Sequence, residues 1–62
     1  MTVATLHKLS EYRHQLLKFG SGMKEEMDAA GNKEWSEFAV SIMHLAMKMG
    51  PSIDAESEKV IG

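Results

Sequence analysis

Residues 9–23, LSEYRHQLLKFGSGM, decide the fold. Apolar side chains recur there at Leu9, Tyr12, Leu16, Phe19 and Met23, in steps of three, four, three and four. Those steps keep one stripe of an α-helix, since a turn takes about 3.6 residues. Residues 35–49, WSEFAVSIMHLAMKM, repeat the same steps at Trp35, Phe38, Ile42, Leu45 and Met49. Between the seams stands Gly31-Asn32. Two helical seams joined by one turn predict an antiparallel hairpin, with helix 1 over about 3–30 and helix 2 over about 32–49.

Local signals support these bounds. Thr2 can cap helix 1, and Gly31 can take the left-handed conformation that ends it. Asn32 can cap helix 2 through its side-chain oxygen, with Glu34 near the positive end of that helix dipole. Gly20-Ser21-Gly22 is costly inside a helix, at about 1 kcal/mol per Gly relative to Ala. Leu16, Phe19 and Met23 nevertheless keep step across it, and a loop would reset the phase, so helix 1 is expected to run through. Gly50-Pro51 is expected to stop helix 2 at Met49, because Pro cannot continue the ladder. Residues 51–62 are then a short helix, capped by Ser52 or Asp54, or a loose tail.

Folding about Gly31 sets side by side residues whose numbers sum to about 62, at about 1.5 Å rise per residue. Met27 then faces Trp35, Met23 faces Ala39, Phe19 faces Met43 and Leu16 faces Ala46. Helix 1 outruns helix 2, so Leu6 and Leu9 need cover, either from Ile53, Val60 and Ile61 in the tail or from a partner chain. Helix 2 also carries Ala39, Val40, Met43, Ala46 and Met47 beside its seam. A helix apolar on more than one side is normally buried on more than one side. Ala39 and Ala46, seven apart, allow close helix approach. The expected architecture is all-α, a single domain over 1–62 that self-associates into a dimeric four-helix bundle. Its expected protein interface comprises Leu6, Leu9, Phe38, Val40, Ile42, Met43, Ala46 and Met47.

Composition points the same way. A monomer of 62 residues buries only about 60% of its unfolded surface and is marginal. Cysteine is absent, which excludes disulfides and thiolate zinc sites. Small scaffolds without such staples rely on oligomerisation or on very good helix packing. Hydrophobic residues make up 44% of the chain and aromatics 6%, so the core must come mainly from Leu, Ile, Val, Ala and Met. No basic-then-apolar leader opens the chain, since His7, Lys8 and Glu11 interrupt the first apolar stretch. Phe38 to Met49 holds Ser41, His44 and Lys48 and falls short of the roughly 20 residues that span a bilayer. A soluble cytoplasmic protein with no membrane partner is expected.

Candidate chemistry is sparse. His7, Glu11 and His14 share a face of helix 1, and Glu11 to His14 has the Glu-x-x-His spacing of di-metal bundles. His7 and His14 stand roughly 10 Å apart along the axis, too far to share an ion. Their face also lies opposite the seam. Glu25 and Glu26 diverge, and Glu34 and Glu37 sit on a solvated face beside Lys33. Gly20-Ser21-Gly22 follows no strand and is no phosphate loop. No metal, cofactor or catalytic set is expected, and no enzymatic activity.

The net charge of -2 argues against bulk electrostatic capture of nucleic acid. Lys8, Arg13, His14 and Lys18 still give helix 1 a basic side, interrupted by Glu11. The length and hairpin plan are similar to those of plasmid copy-number RNA-binding dimers, a likeness of architecture with no residue motif behind it. RNA or DNA binding is the alternative expectation. The first is a small non-enzymatic regulator or adaptor, a homodimer that docks a helical face on an unidentified protein partner.

Overall fold

Thr2 opens the first helix: its Oγ1 accepts a hydrogen bond from the Thr5 N–H at 3.1 Å. In the computed structural model, which describes residues 1–61 (Ile61 by its backbone alone), two helices follow. Helix α1 spans Val3–Ala29 and helix α2 spans Lys33–Ile61. The expectation for the Ile61 side chain lies outside the described residues. The helices pack against each other in an antiparallel hairpin about 47 Å long.

The turn forms as its residues predict. Gly31 has φ 72, where an L side chain would be strained. The Gly31 N–H donates to Asp28 O at 3.1 Å and the Asn32 N–H to Met27 O at 2.8 Å, which satisfies two of the last carbonyls of α1. Asn32 then caps α2, its Oδ1 accepting from the Trp35 N–H at 3.2 Å. Ser36 is buried, and its Oγ donates to the Asp28 carboxylate across the turn.

Helix α1 is continuous through Gly20-Ser21-Gly22, as its apolar phase implies. Gly20 has a packing reason. A Cβ built on it would stand 2.8 Å from Met43 Cγ and 3.1 Å from Ala39 O, so α2 approaches the α1 backbone at this point. Ala39 and Ala46 meet that approach from the other side and are 0% exposed. Gly22, two residues on, has open space where a Cβ would be.

Gly50-Pro51 does not end helix 2. Pro51 lies inside α2, which runs on for 29 residues in all, so there is no separate third helix and no loose tail over the described residues. The stop rule weighs only local terms, the hydrogen bond that Pro51 cannot donate and its ring against the preceding turn. Two non-local gains oppose it. Residues beyond Pro51 run beside the start of α1, where Leu6 is only 5% exposed and Leu9 and Ile53 are half-buried. Arg13 braces the weakened turn: its Nε donates to Ala46 O at 2.8 Å. Its guanidinium lies against Gly50, whose hypothetical Cβ would sit 3.1 Å from Nη2. Gly50 therefore makes room for Arg13. The helices are nearly equal in length, and the overhang expected at Leu6 and Leu9 does not exist.

The seams also sit differently from expectation. Gly20, not Phe19, meets Met43, and Arg13 reaches Ala46. The line between the helices is made of Leu6, Arg13, Gly20, Ser36, Ala39 and Ala46. Tyr12, Phe19, Phe38 and Leu45 stay between 45% and 65% exposed. Two helices alone share a narrow line, and small residues on it bring the backbones together. The large seam residues then flank the line.

Two stability effects follow. Gly22→Ala should raise the hairpin's stability by about 0.5–1 kcal/mol, the usual gain of Ala over Gly in a helix. Gly20→Ala should lack that gain, and Gly20→Val should fall below wild type in thermal melts, because each added atom meets Met43 and the Ala39 carbonyl. Arg13→Ala should cost about 1.5–3 kcal/mol, the range for a hydrogen bond from a charged donor. Urea titration would measure it, and Arg13→Lys should recover little, since an ammonium cannot lie flat over Gly50.

Candidate functional site

At about 100° per residue, Tyr12, Leu16, Phe19 and Met23 fall to one side of the buried line on α1. Phe38, Ile42, Leu45 and Met49 fall to one side of the Ala39–Ala46 line on α2. Both helices are right-handed and they run in opposite directions, so the two flanks emerge on the same side of the hairpin. They form one apolar face, two helices wide. Trp35 and Phe38 stand edge to face at its turn end, with ring centroids 5.2 Å apart. Shallow grooves run along its α1 half, one lined by Tyr12, Gln15, Leu16 and Phe19, the next by Phe19, Gly22, Met23, Glu26 and Met27 together with Lys18.

The extent of this surface can be set against size. The chain exposes 4742 Å². A compact monomer of this mass exposes about 4000 Å². The difference follows from the elongated form of a hairpin 47 Å long and 15 × 11 Å across. No large side chain is fully buried among the described residues.

The residues expected at a protein interface divide into three groups. Leu6 and Ala46 are buried between the two helices of one chain, and a partner has little of them left to cover. Phe38 and Ile42 belong to the apolar face, and half-buried Leu9 lies at its far end. Val40, Met43 and Met47 lie on the opposite side of α2, with Met43 folded against Gly20 and Met47 58% exposed. Tyr12, Phe19 and Leu45 carry much of the exposed face and were absent from the expected interface. Their signal was the seam spacing itself, which an inward assignment absorbed.

Of the basic residues, His14 and Lys18, four apart, share the exposed side of α1 with Lys8 on its flank, while Arg13 is half-buried and engaged with Ala46. His7, Glu11 and His14 stand exposed on the side of α1 away from α2. Among the described residues no three His, Cys, Asp or Glu side chains lie together as metal ligands. No described helix is long and apolar enough to cross a membrane. No family model, curated protein or solved structure matches the chain.

Among the described residues one carboxylate, Asp28, is perturbed. Lys24 Nζ donates to Asp28 Oδ2 at 2.7 Å, and Ser36 donates to the other oxygen. These bonds, Lys24 first, hold the Asp28 pKa below its ordinary value, with partial desolvation opposing and the Lys24 charge assisting. A carboxylate depressed on folding stabilises the fold above its unfolded pKa of about 3.9 and loses that contribution as pH falls through the folded value. Urea midpoints followed from about pH 2 to 6 should therefore converge for wild type and Asp28→Asn at the acid end, with wild type the more stable above about pH 4.

Proposed function

We propose that this chain is a small non-enzymatic protein–protein interaction module, a regulator or adaptor that works as a homodimeric four-helix bundle. The observation that carries this reading is the apolar face of Tyr12, Phe19, Phe38 and Leu45, left open by a hairpin whose own core is thin. Two such faces laid together give each helix a second neighbour, and they enclose side chains that one hairpin leaves in water. Aromatic residues concentrated on one side suit the centre of an interface, where well-packed rings carry most of the binding energy. The strip of Val40 and Met47 stays outside such a bundle. It is the surface left for another protein, and a methionine-bearing helical strip can adapt to its ligand.

Sedimentation equilibrium at micromolar concentration should give twice the chain mass. Phe19→Asp and Leu45→Asp should each weaken the dimer at least about tenfold, because each places an unpaired charge in a dry contact. Met47→Asp, on the other side, should leave the dimer constant unchanged. A wild-type protein that sediments as a folded monomer throughout that range defeats the reading.

A further inference from the structure

We infer that the occupant of the apolar face is a second copy of this chain docked head to tail, with the two turns at opposite ends of the bundle. This rests on the proposed dimer and adds its orientation. Two face-to-face hairpins related by a two-fold axis have two choices. An axis along the helices puts both turns at one end and stacks α1 on the partner's α2. An axis across the helices puts the turns at opposite ends and stacks α1 on α1 and α2 on α2. The charges along the rim distinguish them.

On α1 the rim carries Lys8 and Glu26. They are eighteen residues apart, about five turns, and so stand on one line along the helix. The apolar stretch from Tyr12 to Met23 lies midway between them. On α2 the rim carries Glu34 and Ser52, also eighteen apart, around the stretch from Phe38 to Met49. Lys8, Glu26, Glu34 and Ser52 are all exposed. The ion pairs found among the described residues, Lys24–Asp28 and Lys59–Glu56, involve none of them.

A two-fold axis across the middle of both apolar stretches sets Lys8 against Glu26 of the second copy, and Glu26 against its Lys8. It sets Glu34 against the other Ser52, a carboxylate against a hydroxyl donor. The same axis brings Leu16 to Phe19, Tyr12 to Met23, Ile42 to Leu45 and Phe38 to Met49 across the interface. Each pair joins side chains that the single hairpin leaves partly or largely exposed. The other axis sets Glu26 beside Glu34 of the second copy twice over. Like charges facing each other on a contact rim are destabilising and select against that arrangement.

The chain has no cysteine, so single-cysteine variants report proximity cleanly. Lys8→Cys and Glu26→Cys chains, mixed and oxidised under native conditions, should form the mixed disulfide dimer. Glu26→Cys mixed with Glu34→Cys should form no more than a solvent-face control pair, Glu11→Cys with His14→Cys. In sedimentation, Lys8→Glu should weaken the dimer several-fold, and Lys8→Glu combined with Glu26→Lys should restore it. Preferred cross-linking of positions 26 and 34, or a dimer tightened by Glu34→Lys, overturns the head-to-tail orientation while leaving the dimer intact. So does a sedimenting dimer in which the 8 and 26 pair cross-links no better than the control. A monomeric wild-type chain instead removes the proposed dimer, and the orientation with it.

Discussion

The close approach of α2 to α1 at Gly20 organises the rest of the molecule. With no side chain at position 20, Ala39 and Met43 come against the α1 backbone. Ala39 and Ala46 keep the spacing small along the line, and Arg13 crosses it farther along to reach Ala46 O. A line of small residues gives a tight contact, but it buries little apolar area. The large residues of both seams must then stand beside the line. Since both flanks emerge on one side, tight packing inside the hairpin is what builds the apolar face outside it.

Much of this was legible from spacing alone. Thr2, Gly31 and Asn32 act locally, through backbone conformation and one hydrogen bond each, and local signals of this kind read directly from sequence. The continuity of α1 was legible because phase is carried by many residues and outweighs the propensity cost of Gly20 and Gly22. The course of α2 past Met49 was not. Gly50-Pro51 is a strong local stop, and what opposes it is non-local: the burial of Ile53 beside the start of α1, and a guanidinium thirty-seven residues earlier in the chain. No local window contains Arg13 and Gly50 together.

The apolar face was half legible. Periodicity identified every residue on it, but periodicity gives the side of a helix and not what covers that side. Placing the largest residues inward is the natural reading of a seam. The glycine and alanines decide otherwise, because in a two-helix contact the smallest residues control the spacing. The basic side of helix 1 illustrates the same limit. Arg13 looks like a free cation in a list of charges, yet its guanidinium serves as a brace between helices.

A thin core also ties association to folding. The hairpin buries Leu6, Ala39 and Ala46 as its apolar centre and leaves Tyr12, Phe19, Phe38 and Leu45 largely in water. For a chain of this size the entropy of ordering nearly cancels the gain from burial, so little net stability remains for a lone hairpin. Covering the apolar face adds burial without ordering much further backbone, since both helices are already formed. In the proposed dimer the interface and the fold would draw on one free energy, and the midpoint of thermal unfolding would depend on chain concentration. Gly20 sets this balance: by narrowing the space between the helices, it limits what one chain can bury and leaves the rest of the apolar face exposed.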